Sequence, residues 1–144
     1  MIELLYAILA AIVTAQVVGF LWYGLLFAKP WMKGMGMAEL EEEELKAMQK
    51  KAVPGYVWSA LMAAGMTAAL WYVFTDFVQP NTEQSDAVAG LLTGAIGWLV
   101  FHFTATSTNN FFAQRPWSVW AIDTAYMGVQ ATLYGLYVGL FVGL

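Results

Sequence analysis

The sequence predicts an all-α integral membrane protein, a four-transmembrane-helix bundle with an amphipathic cytoplasmic helix in its first loop. Three observations carry that prediction. Hydrophobic residues make up 60% of the chain and charged residues 11%, where a water-soluble domain has roughly half and about a quarter. Four apolar stretches reach the ~20 residues that a helix needs to cross a bilayer. All six basic residues fall in two loops that such a topology places on one side.

At 144 residues the chain makes one integral membrane domain, 1–144, too short for two independent cores. Its start, Met1-Ile2-Glu3 followed by a long apolar run, lacks the basic stretch of a secretory signal, so a retained first helix is expected. The spans are predicted at about 4–27, 55–78, 87–106 and 118–144, with a cytoplasmic loop over 28–54. The third is the least uniform, since it ends in Thr104, Thr106, Ser107 and Thr108. Hydroxyls that bond back to their own helix keep it compatible with a span.

Orientation follows from Lys29, Lys33, Lys46, Lys50 and Lys51 in the first loop and Arg115 in the third. The positive-inside rule puts both loops in the cytoplasm and both termini outside. The expected location is the cytoplasmic (inner) membrane of a prokaryote. Within the first loop, about 38–52 reads as a helix lying on the membrane surface. Leu45, Met48 and Ala52 share a face, glutamates precede lysines, and Pro54 marks its end.

Charge and composition exclude several functions. The net charge of −4 is local, because Glu39 and Glu41 to Glu44 sit in one run. No strongly basic surface exists for nucleic acid. Without cysteine, disulfides and thiolate chemistry are out, and a lone histidine rules out a multi-histidine metal site within one chain. Neither a metal nor a cofactor is expected. No phosphate loop, HExxH pattern or nucleophile elbow occurs.

Two sets of intramembrane residues stand out. Small residues recur at four-residue spacing: Ala7, Ala11, Ala15 and Gly19 on the first helix, Gly90 and Gly94 on the third, and Ala131, Gly135, Gly139 and Gly143 on the fourth. Such faces let backbones approach, within the bundle or between subunits. Embedded polar groups form the second set, since lipid makes each one costly. At ~100° per residue, Asp123, Tyr126, Gln130, Tyr134 and Tyr137 make one stripe on the fourth helix. His102 lies on a comparable line of the third, with Trp98, Thr106 and Asn109.

Depth suggests two layers among these groups. Tyr23, Ser59, His102 and Asp123 are expected near the cytoplasmic side, and Gln16, Thr67 and Gln130 near the midplane. In the first layer an Asp near a His either handles a proton or ligand, with Tyr23 and Tyr126 lining the path, or only hydrogen-bonds to fix helix register. In the second, Gln16 and Gln130 are expected to bond each other across helices.

The corner before the last helix carries a resemblance. Asn109-Asn110-Phe111-Phe112-Ala113-Gln114-Arg115-Pro116, then Ile122-Asp123 and Tyr126, resembles a signature of an uncharacterised prokaryotic membrane protein family, domain of unknown function 1761. Gly19-Phe20-Leu21-Trp22-Tyr23, followed by Leu26-Phe27 and Lys29-Pro30-Trp31-Met32, is similar to that family's other marked segment. The resemblance covers essentially the whole chain and implies a small membrane protein, with no substrate, cofactor or catalytic residue attached. Asp123 stands where the family commonly has asparagine, which favours hydrogen bonding over proton transfer.

Physically, the signature reads as a cytoplasmic corner built from Trp31, Asn109, Asn110, Arg115 and Pro116. Pro116 suits the first helical turn, and the asparagines cap the third helix or close the turn. The expected function is a non-enzymatic, homo-oligomeric binding or structural protein whose partners are membrane lipid, its own copies or another membrane protein. The alternative is a small oligomeric transporter or channel that uses the polar stripe on the third and fourth helices. A membrane enzyme would have to be built from Asp123, His102 and the tyrosines.

Overall fold

The computed structural model describes residues 1–144. It contains five helices: α1 Ile2–Leu26, α2 Ala28–Gly34, α3 Glu42–Asn81, α4 Asp86–Ala113 and α5 Trp117–Val142. All but α2 are long and apolar enough to cross a membrane. Their outward faces carry large apolar side chains, among them Val13, Phe20, Val57, Phe77 and Phe101, each more than half exposed. In water that surface would be untenable for a monomer. In lipid it is the solvated face.

α5 is the axis of the bundle. It holds 11 of the 21 buried residues, and it packs against α1, α3 and α4. Ala11 and Ala15 of α1 meet Ala63 of α3 and Tyr134 of α5 in one cluster. Phe74 of α3, Ala89 of α4 and Val138 of α5 make a second, toward the end away from the basic residues. α3 and α4 converge only there, so their other halves stand apart.

The α4–α5 seam is backbone against backbone. A Cβ added at Gly90 would strike the Gly135 carbonyl, one at Gly94 the Ala131 carbonyl, and one at Gly139 the Asp86 carbonyl. Only glycine allows that approach. Gly143, at the same spacing, sits at the periphery, with Asp86 Oδ2 3.6 Å from where its Cβ would lie.

Element ends differ from the sequence prediction in three places. The first-loop helix starts at Glu42, where Glu44 accepts the Glu41 N–H at 3.1 Å, and it runs unbroken through Pro54 into the span. Pro54 lies on an exposed stretch, so the carbonyl its ring leaves unpaired can take water, and the helix survives. α4 extends beyond Thr106 to Ala113, because hydroxyls turn back onto carbonyls: Thr106 to His102 at 2.8 Å, Ser107 to Thr104 at 2.9 Å and Thr108 to Thr104 at 3.1 Å. The α4–α5 connection is thereby cut to residues 114–116, with Gln114 in the left-handed region at φ 53°. Third, α2 forms a helix inside the predicted loop over 28–54. Pro30 occupies its first turn, where a missing N–H does least harm.

Three spans contain a widened turn with i→i+5 bonding, at Phe20–Leu26, Phe74–Val78 and Trp98–Phe103. The Phe27 N–H, for example, reaches the Trp22 carbonyl at 2.8 Å. Each adds a residue to the local turn and rotates the following side chains relative to the preceding ones.

Candidate functional site

Asp123 is the node of the basic end. Its Oδ1 accepts from the Tyr23 hydroxyl at 3.0 Å and from the Trp31 indole N–H at 2.9 Å, and its Oδ2 pairs with Arg115 at 3.0 Å. Each donor arrives for a local reason. The widened turn of α1 carries Tyr23, the break at Phe27 starts α2 and swings Trp31 back, and the left-handed Gln114 turns the chain so that Arg115 lies over the first turns of α5. Asp123 thereby ties α1, α2 and the α4–α5 turn to α5. Charge-assisted bonds of this type are worth about 1.5–3 kcal/mol each where desolvated. The ion pair itself is half-exposed, and its own share is at the low end.

Neighbouring groups close the corner. The Trp22 indole donates to the Ile122 carbonyl at 3.1 Å. The ring of Tyr126 meets Tyr23 edge-on, with centroids 5.0 Å apart. Its hydroxyl donates to the Ala15 carbonyl at 3.3 Å and passes close over Gly19, where a Cβ would lie 3.1 Å from it. Asn110, buried, donates to the Arg115 carbonyl at 3.2 Å and so closes the turn, while its Oδ1 has no partner. Asn109 is exposed. Pro116 precedes the first helical residue of α5, and its carbonyl accepts the N–H groups of Val119 and Trp120. Gly34 lies against Val119 and docks the end of α2.

The two depth layers do not form. Of the four groups expected together near the basic end, only Tyr23 and Asp123 bond each other. Ser59 accepts from Gln16 at 3.0 Å, and His102 stands apart, facing a groove between α3 and α4. At the midplane Gln16 turns to α3 and meets Ser59 and the Tyr56 carbonyl, not Gln130. Gln130 reaches the Ala15 carbonyl at 3.5 Å and accepts from the Tyr134 hydroxyl. Thr67 bonds its own helix at Ala63, 2.8 Å away. Register and azimuth both differ from the expectation: Ser59 is level with Gln16, which bonds it, and not with Tyr23 and Asp123. Ala15 of α1 faces α5, and Gln16, ~100° further round, faces α3. Equal depth brings side chains together only where the helices also turn them toward each other.

Several interhelical donors escaped the sequence reading. The Trp98 indole donates to the Thr124 carbonyl at 3.0 Å, that of Trp120 to the Thr106 hydroxyl at 3.3 Å, and Thr14 shares a 2.7 Å bond with Tyr137. A signal for them exists. An indole N–H in lipid has no water to bond, so each embedded tryptophan implies an acceptor on a neighbour.

The arrangement defines a class: an all-helical protein with four helices suited to crossing a membrane and a hydrogen-bonded corner at one end. The chain also matches the model of the family described as Protein of unknown function (DUF1761) over residues 6–139, and it belongs to that family. Tyr23, Trp31, Asn110, Arg115 and Asp123, which meet in space, all lie inside the matched range. No curated protein and no solved structure matches the chain.

Proposed function

We propose that this chain is a non-enzymatic binding or structural protein of the prokaryotic cytoplasmic membrane. It works as a homo-oligomer, with its basic loops in the cytoplasm and both termini outside. One observation carries the reading: Asp123 and Gln130, the strongest polar groups of the α5 stripe, are engaged by partners on the helices around them. A carboxylate held by three donors fixes a corner. It is poorly placed to accept a travelling proton or to act on a substrate. The stripe faces the backbone of α1 at Ala15 and not an open path, which speaks for structure over the transporter reading.

Room for a second copy comes from the thin internal packing, on a surface that lipid otherwise covers. Ten buried residues are shared among α1, α3 and α4, so these helices present most of their surface outward. Orientation rests on the six basic residues, all in the first and third loops.

Two measurements test the proposal. Vesicles holding the protein should show the same proton and ion flux as empty ones, and particles cut from native lipid should have a protein mass of two or more times 15.9 kDa. A flux that Asp123→Asn abolishes would establish the transporter reading instead. A strict monomer would remove the oligomer.

A further inference from the structure

We infer that the groove between α3 and α4 binds a neutral, membrane-soluble ring compound bearing a carbonyl or hydroxyl oxygen, of the quinone–quinol class, with His102 as its polar anchor. This gives the binding role proposed above a ligand, and it rests on that reading.

The groove exists because α3 and α4 meet at Phe74 and Ala89 and then separate. The space is about 310 Å³, at the lower end of the ~300–1,000 Å³ typical of ligand pockets. Met66 and Leu70 form one wall, and Gly97, Trp98, Phe101 and His102 the other. The wall at Trp98 is rigid, because its indole is fixed to the Thr124 carbonyl at 3.0 Å and Phe103 packs edge-on at 5.7 Å. Gly97 keeps the space open: a Cβ there would meet nothing within 4 Å. The widened turn Trp98–Phe103 contains His102, and such turns recur at functional sites.

His102 sets the chemistry. Its ring bonds no other residue, although a neutral imidazole offers one donor and one acceptor, and an unpaired polar group in lipid is costly. No lysine or arginine lines the groove, so nothing there would balance the charge of a phosphate headgroup, and taking that charge out of water unpaired is costly. The oxygen that satisfies His102 therefore belongs to a neutral group. A plain acyl chain would fill the groove and leave the imidazole unpaired. The indole and phenyl faces, with the Met66 thioether opposite, suit a flat ring.

The test uses the full-length protein in lipid nanodiscs titrated with decylubiquinone, followed by tryptophan fluorescence, with particle mass and helicity recorded for every variant. Wild type should show saturable quenching. His102→Ala should weaken apparent affinity about tenfold, the loss of one hydrogen bond in a dry site. His102→Gln, which keeps a donor and an acceptor, should recover most of it. Gly97→Leu, which fills the open space, should abolish saturation while leaving helicity unchanged. Non-saturable quenching, or saturation unaltered in Gly97→Leu, overturns the inference. So does equal displacement by decanol, which marks a slot for any chain, or a dimer that Gly97→Leu dissociates, which makes the groove a subunit contact. Loss of quinone binding with oligomeric mass intact would sink this inference alone. Flux abolished by Asp123→Asn would sink the reading beneath it.

Discussion

α5 meets its two main neighbours by opposite means. Against α4 it offers Ala131, Gly135 and Gly139, and the helices touch along their backbones. Against α1 it offers Asp123, Tyr126, Gln130 and Tyr137, which reach across and hydrogen-bond, and Tyr134, which packs on Ala11 and Ala15 and donates to Gln130 of its own helix. Lipid gives little hydrophobic reward for bringing helices together, so dispersion at close range and interhelical bonds must do it. One helix uses each device on a different face. The glycine seam has no slack, because any added atom meets a carbonyl. The polar seam can adjust, because side chains rotate and substitutes can accept the same bonds.

That contrast predicts an order of effects. Gly135→Leu should be the most damaging change, since its side chain would enter the backbone of Gly90 and Gly94. A destabilisation above ~3 kcal/mol is expected from forced overpacking, read as thermal unfolding in detergent by circular dichroism. A cost under ~1 kcal/mol would mean that the seam opens without penalty. Asp123→Ala comes next, at about 2–3 kcal/mol, because it strands the Tyr23, Trp31 and Arg115 donors together. Asp123→Asn keeps one acceptor oxygen for Tyr23 and Trp31 and gives up the charge and the oxygen that pairs with the half-exposed Arg115, so ~1 kcal/mol is expected. Equal losses for the two variants would show that the charge, and not the hydrogen bonding, holds the corner.

Smaller effects sharpen the comparison. Gln130→Leu removes the bonds to Ala15 and Tyr134 and should cost about 1 kcal/mol, the usual scale of an interhelical bond in lipid. Gly65→Ala should be neutral or stabilising by ~0.5 kcal/mol, because a Cβ there meets nothing within 4 Å. The same unfolding assay checks both. If Gly65→Ala were as harmful as Gly135→Leu, α3 would have a neighbour that a single copy of the chain does not supply.

The residues show where sequence reading reaches. Gly90, Gly94, Ala131 and Gly135 could be picked out as a packing set because missing side chains matter in only one way, by letting something come near. Arg115 could be placed at the corner, but not as the partner of Asp123, which depth along the helices sets beside His102. Trp31 could be placed at that corner, but not as a ligand of Asp123, because its position depends on α2 folding back. His102 and Asp123 share a depth and yet face different neighbours. Gln16 and Gln130 do the same.

From the sequence alone come the helical class, the number of spans and the sorting of charge. Each depends on composition and on periodicity along one chain, and the bilayer's thickness and polarity constrain both. Tertiary structure decided which helices are neighbours, how each is rotated, and hence that Asp123 is held by three donors while His102 has none. Rotation about a helix axis is set by the widened turns and by the fit of glycine against backbone, and both are properties of helices in contact.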